Sequence, residues 1–283
     1  SAELSDDLFP FAVNVGRFDK QWYAVQFEAD VQHLAYRTGK VRRPPSTWDE
    51  LLTSRATYIF PAAGREGVVN DASLIQYLGA GGKFDQATRQ LLLEEQPLLR
   101  LLTFYRQGRL RGVIPPDVLT FDSMDVCWSA YLSGGAAMSN VYATRYLAEQ
   151  EALKDSDFAS LPTWDGRVVT LSRGWALAIV TADPAHQTAA AQFIEWLLAP
   201  ENNAAWAQAA GRLPTRRSAL YVWGTEDEYS TFLQEQLEAA IFRPSGPGYV
   251  EAAQRLQQAV SDVLTGAATP EEAARQALEA AGS

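Results

Sequence analysis

The sequence predicts a helix-rich α/β fold, because segments typical of buried strands alternate along the chain with segments typical of amphipathic helices. The clearest unit begins at 175–181 (WALAIVT), a short and mostly apolar run that is typical of a buried strand. Asp183 and Pro184 then begin a helix as N-cap and first helical residue, and Pro200 ends it. A shorter helix follows and ends at Gly211, a natural C-cap.

The rest of the chain shows the same alternation. Residues 21–36 are predicted to form one or two strands. Thr47 and Glu50 form a capping box that opens a helix at Trp48, and Asp85 is expected to begin a long helix that reaches about residue 107. Further helices are predicted over 71–78, 123–133, 227–242 and 249–264, with a last one capped by Thr269.

The composition excludes several kinds of protein. The formal net charge of −10 argues against a surface for nucleic acid or anionic membranes. Cys127 is the only cysteine, so an internal disulfide and a zinc site built on several cysteines are excluded. His33 and His186 are the only histidines, and we expect neither a metal nor a cofactor. The first residues (SAELSDD) do not resemble a signal peptide.

No motif in the sequence indicates an enzyme. Glu28 and Asp30 would lie on one face of a strand, and three interpretations stay open: solvated residues, hydrogen-bond acceptors for a polyol, or a carboxylate pair for glycoside hydrolysis. The glycine run 79–82 follows a helix and lacks the Lys-Ser/Thr of a phosphate-binding loop, and no G-x-S-x-G elbow occurs.

Two other residues are candidates for ligand contact. Trp175 is expected to form a ligand wall, because Gly174 lets the backbone come close to a neighbour just before it. Arg216 either holds a polar ligand or lies in a solvated turn.

Four stretches, in order, resemble the extracellular solute-binding proteins of ABC importers, in the branch related to maltose-binding protein. They are WYAVQFEAD at 22–30, PSTWDELL at 45–52, LSGGAAMS at 132–139 and the unit from Gly174 to Arg216. The resemblance implies a periplasmic-binding-protein-like fold of two lobes joined by crossover strands, with a sugar or oligosaccharide held between them. It implies Glu28, Asp30, Tyr142, Trp175 and Arg216 as ligand-binding residues. It further implies ABC permease subunits as partners, an extracytoplasmic location and no enzymatic activity.

The resemblance also predicts how the chain is divided. Residues 1–25 are expected to be a remnant of lobe one, 26–173 lobe two, 174–214 a returning segment of lobe one, and 215–283 C-terminal helices mainly in lobe two. The matching begins near the end of the family's N-terminal segment, and the lipid-anchoring cysteine is missing. We therefore expect an incomplete first lobe whose apolar surface is uncovered, and one of three consequences: repacking, a homodimer through that lobe, or a swapped element.

Two alternatives remain at this stage. One is a carbohydrate-active enzyme that uses an Asp/Glu pair, made of Glu28 or Asp30 and a distant acid. The other is a receptor for a cationic solute such as a polyamine, since the acidic side chains would suit a cation.

Overall fold

Helices hold most of the regular structure in the computed structural model, which describes residues 2–18, 21–85, 87–223 and 228–279. The helices are α1 Ala2–Asp7, α2 Pro10–Val15, α3 Trp48–Ser54, α4 Asp71–Gly79, α5 Glu95–Leu110, α6 Met124–Leu132, α7 Ala143–Glu149, α8 Pro184–Leu197, α9 Pro200–Ala210, α10 Arg217–Val222, α11 Glu228–Ala239, α12 Tyr249–Thr265 and α13 Pro270–Glu279. Short 3-10 helices cover Pro116–Thr120 and Gln150–Ala152. None of the helices within the described ranges is long and apolar enough to cross a membrane.

The strands are short. They are β1 Arg17–Phe18, β2 Gln21–Trp22, β3 Val25–Gln26, β4 Glu28–Ala29, β5 Gln32–Arg37, β6 Tyr58–Ile59, β7 Lys83–Phe84, β8 Leu91–Leu92, β9 Met138–Tyr142, β10 Ser156–Ala159, β11 Thr170–Ser172, β12 Ala176–Leu177, β13 Leu213–Pro214 and β14 Ala240–Phe242.

The chain divides into two compact units. Unit 1 contains residues 1–31, 142–151 and 170–243, and unit 2 contains 32–141, 152–169 and 244–283. Residues 215–243 belong to unit 1. The reason is local pairing, because β14 forms a parallel ladder with β11 and Arg217 bonds both Glu238 and the Leu8 carbonyl. The assignment of these units to lobes stays a prediction.

Unit 2 is built on a four-stranded sheet in the order β10-β5-β9-β6. Strand β10 runs antiparallel to β5, and β6 runs parallel to β9. The predicted capping box is confirmed, because the Thr47 hydroxyl accepts the Glu50 amide and the Glu50 carboxylate accepts the Thr47 amide. This cap directs Trp48 into the core, where its ring stacks on Phe104 of α5 with centroids 4.5 Å apart.

The prediction that a long helix begins at Asp85 is wrong. Its first part is a hairpin in which β7 pairs antiparallel with β8, and α5 begins only at Glu95. The Asp85 carboxylate accepts the amides of Ala87 and Thr88, which closes a turn instead of capping a helix. Arg89 then adopts a left-handed conformation with φ of 59°, which no helix can contain.

The described residues of unit 1 form helices around four short two-stranded pairings: β1 with β2, β3 with β12, β4 with β13, and β11 with β14. The helix predicted from Pro184 is confirmed as α8, and Asp183 caps it by accepting the His186 amide. Helix α9 ends at Gly211 with φ of 60°, as a C-cap requires. The helix predicted over 227–242 ends earlier, because Ala240–Phe242 is β14, and residue 227 lies outside the described residues.

The strand predicted over 175–181 is much shorter than expected. Only Ala176 and Leu177 pair, with Gln26 and Val25. Beyond them the side chains turn to solvent, and Val180 is 96% exposed. Because the partner strand β3 is only two residues long, it can pair with only two residues of the apolar run.

Unit 1 therefore leaves several large apolar side chains exposed, which we call its apolar face. Its members are large hydrophobic side chains that the fold leaves exposed: Trp22, Tyr23, Ile179, Val180, Phe193 and Trp196. Part of this apolar face is a groove of about 430 Å³, bordered by Trp22, Leu177 and Ile194. Helix α8 contributes to it because, of its residues, only Leu197 is buried.

Candidate functional site

The structure brings four of the five predicted ligand residues together in unit 1. Asp30 forms an isolated antiparallel bridge with Arg173, which stacks on the Tyr142 ring. The next residues along the chain, Gly174 and Trp175, run beside Glu28: the Trp175 carbonyl accepts the Phe27 amide. A Cβ at Gly174 would lie 2.1 Å from the Glu28 carbonyl oxygen, so only glycine permits this approach.

Asp30 is buried, with only 1% of its surface exposed. Its carboxylate accepts the Thr144 hydroxyl at 2.7 Å, the Thr144 amide at 3.1 Å and the Val31 amide at 3.0 Å. Arg173 donates to the same carboxylate at 3.0 Å. Burial raises the pKa of Asp30, and the Arg173 guanidinium and the Thr144 bonds oppose that rise. The carboxylate therefore ties three separate chain segments together.

Glu28 is arranged in the same way. It is buried, and its carboxylate lies 3.3 Å from Nε of Arg212, which follows α9. Burial raises the pKa of Glu28, the positive charge of Arg212 opposes the rise, and the negative charge of Asp30 adds to it. We call Glu28, Asp30, Arg173 and Arg212 the charge cluster. Its two carboxylates are buried, and its two guanidinium side chains remain partly exposed, 48% for Arg173 and 39% for Arg212.

Arg173 is held on two sides. One side is the ion pair with Asp30, and the other is the Tyr142 ring, whose centroid lies 3.4 Å from the guanidinium carbon. Tyr142 is the last residue of β9 and the N-cap of α7, so its ring is fixed by two regular elements. This arrangement orients the guanidinium while about half of the side chain stays in contact with solvent.

Trp175 is the exposed aromatic of the site. Its surface is 72% exposed although the adjoining backbone is held by the Phe27 amide and the β12 ladder. Trp175 and Arg173 are separated along the chain by Gly174 alone. An exposed indole can cover the C–H face of a sugar ring, and an oriented guanidinium can donate to the oxygens of that sugar.

Arg216 is not part of this arrangement. Its Nε donates to Asp7 at 2.6 Å, and its guanidinium also bonds the Leu198 carbonyl. The backbone amide and hydroxyl of Ser218 donate to the same Asp7 carboxylate. Burial alone would raise the pKa of Asp7, but the hydrogen bonds from Ser218 and Arg216 outweigh burial and lower that pKa. These contacts join α1 to the start of α10, so Arg216 has a structural role here, and its ligand contact stays a prediction.

Sequence reasoning missed three residues of the site: Arg173, Arg212 and Thr144. Arg212 lies within the family-like stretch from Gly174 to Arg216 but was not named as a ligand residue, and each of the three is more than 100 positions from its carboxylate partner. The only signal was the alternation of Glu28 and Asp30, two buried acids that each need a donor or cation. No group of three or more His, Cys, Asp or Glu side chains among the described residues could hold a metal ion.

Comparison with known proteins decides the family. A family model described as bacterial extracellular solute-binding protein matches residues 1–230. The chain belongs to this family. An extracellular family agrees with the predicted extracytoplasmic location, and the lipid anchor stays a prediction. A search of curated proteins gives no match.

Solved structures show the fold of this solute-binding protein. Maltose-bound MalE3 of T. maritima shares 20% identity with a TM-score of 0.77, over 97% of this chain and 75% of that chain. The cyclic alpha-maltosyl-1,6-maltose binding protein of Arthrobacter globiformis shares 19% identity with a TM-score of 0.82, over 98% and 75%. An ABC transporter solute-binding protein of Thermotoga lettingae, bound with alpha-D-tagatose, shares 21% identity with a TM-score of 0.74, over 98% of this chain and 77% of that chain.

These likenesses confirm the predicted periplasmic-binding-protein-like α/β fold. The chain spans about three quarters of the length of each of these structures, which is consistent with the expectation of an incomplete first lobe.

Proposed function

We propose that this chain is the sugar-binding component of an ABC importer and binds a sugar or oligosaccharide on the surface formed by Trp175 and the charge cluster. The observation that carries the proposal is that Trp175 exposes its indole two residues after Arg173, whose guanidinium Asp30 orients. Family membership supports solute binding, and the similar structures named above carry maltose, a cyclic maltosaccharide and tagatose in their descriptions. The membrane partner would be the permease of that importer.

The geometry disfavours the two alternatives. A cationic solute needs carboxylates that are open to it, whereas Glu28 and Asp30 are buried and each is paired with an arginine. A glycosidase needs carboxyl groups that reach the scissile bond, whereas Glu28 and Asp30 are both buried behind the arginines with which they pair. The family comparisons also point to a transport protein and not to an enzyme.

Thermal unfolding against a panel of mono- and oligosaccharides tests the proposal, with the solution mass measured in the same buffer. A ligand at about 100 times its dissociation constant adds about 2.7 kcal/mol to the stability, which raises the unfolding midpoint measurably. We expect a rise with one class of sugar, and its loss in Trp175→Ala. A panel without any rise, under conditions where the chain is folded, would contradict the proposal.

A further inference from the structure

The charge cluster presents hydrogen-bond donors to solvent and hides its acceptors. The side chains of Glu28 and Asp30 are only 5% and 2% exposed, whereas those of Arg173 and Arg212 are 39% exposed or more. A neutral sugar hydroxyl can donate and accept, so a binding surface for neutral sugars gains from open carboxylates as well as from guanidinium groups. In the charge cluster, the charged groups that solvent reaches are guanidinium groups, which only donate hydrogen bonds.

The arrangement favours a ligand group that only accepts hydrogen bonds. A carboxylate accepts at two oxygens and forms short, charge-assisted bonds with guanidinium groups. The net charge of the cluster does not oppose this binding, because two carboxylates and two guanidinium groups cancel formally. The buried acids lie behind the arginines and are already satisfied, Asp30 by four donors.

Orientation strengthens the argument for Arg173. An arginine that must be ordered on binding loses side-chain entropy, which reduces the affinity gained from its hydrogen bonds. Arg173 is already fixed by Asp30 on one edge and by the Tyr142 ring on one face. Trp175, the exposed aromatic two residues further along the chain, would cover the ring of the sugar that carries the acid group.

We propose, on the basis of the proposed function, that the solute is an acidic sugar whose carboxylate is bound by Arg173 and Arg212, as in a uronic acid or a short oligomer of uronic acids. Trp175 stacks on the ring, and Arg173 is the residue that determines the preference for an acidic over a neutral sugar. Asp30 is a positioning residue that acts through Arg173.

Titration calorimetry with matched sugars tests this inference. The probes are glucuronate against glucose and galacturonate against galactose, as monomers and as short oligomers. We expect at least about a tenfold tighter binding of the acidic member of one pair, since hydrogen bonds to charged groups exceed neutral ones by that order. The affinity for the acid should fall as salt is raised, and that for the neutral sugar should not.

Variants separate the role of Arg173 from a merely structural one. Arg173→Gln should weaken binding of the acidic sugar more than binding of the neutral one, so that the acid preference is lost, and Arg173→Lys should restore part of the preference because the charge returns without the planar fork. Arg212→Gln should lower the preference as a second, independent variant. Arg167→Gln is the matched control: Arg167 is half-exposed and paired with an aspartate, but it lies in unit 2.

The outcomes distinguish the two proposals. Tighter binding of the neutral sugar, or a preference for the acid that neither Arg173→Gln nor Arg212→Gln alters, would overturn the acidic-sugar inference and leave the sugar receptor standing. Failure of every sugar, acidic or neutral, to bind the folded wild type would overturn both.

Discussion

His33 gives the structure a defined sensitivity to acid. It lies in β5 with no exposed surface, and its Nδ1 is 3.0 Å from the Leu34 carbonyl oxygen, which suits a neutral ring that donates there. Burial lowers the pKa of His33 from 6.5 to about 4. Between these pH values the unfolded chain binds a proton that the folded chain does not. Stability is therefore complete above pH 6.5 and is lost as the pH falls toward 4. The full difference corresponds to about 3 kcal/mol.

Urea unfolding at pH steps from 7.5 to 4.5, followed by circular dichroism, measures this loss. Other groups also titrate in this range, so the informative quantity is the difference between wild type and His33→Gln at each pH. That difference should shift by about 2.5 kcal/mol in favour of the variant between pH 7.5 and 4.5. His186→Gln is the control, because His186 is exposed, and it should follow the wild type. Equal pH dependence in the wild type and His33→Gln would refute the reasoning.

Two further predictions concern unit 1. Asp30→Ala should lower the free energy of unfolding by about 2 kcal/mol, because it leaves the donors of Thr144 without an acceptor and Arg173 without its counter-ion. Urea unfolding measures this loss, and Asp165→Ala, which breaks an exposed ion pair, is the control that should show almost no loss. Equal losses in the two variants would contradict this account. The apolar face should drive self-association, so sedimentation should show a concentration-dependent dimer that Val180→Lys weakens. Val250→Lys is the control, because Val250 is also exposed (54%, against 96% for Val180) but lies in α12 of unit 2, and it should not weaken the dimer. A monomer at every concentration would refute this prediction.

Local signals predicted the fold best where one residue fixes the backbone. The capping box at Thr47, the Asp183-Pro184 helix start and the Gly211 helix end are all confirmed, because each depends on side chains within a few positions. Asp85 was misread because an aspartate can cap a helix or close a turn with the same hydrogen bonds. What decided between them was the pairing of β7 with β8, which no local pattern reveals.

The candidate site was predictable only in part. Glu28, Asp30, Tyr142 and Trp175 were named from the family resemblance, and the structure brings them together. The arginines that pair with the acids could not be found, since ion pairs between distant segments leave no periodic trace in a single sequence. Their presence changes the chemistry of the surface from acceptor-rich to donor-rich.

The central claim is that sugar binds at Trp175, and the indole N–H resonances of the eight tryptophans test it most directly. The chain is labelled with ¹⁵N at tryptophan, the Trp175 signal is assigned with Trp175→Phe, and spectra are recorded as sugar is added. We predict that the Trp175 resonance shifts in a saturable way while that of the buried Trp128 stays fixed. Saturable shifts at other tryptophans with none at Trp175 would contradict the account.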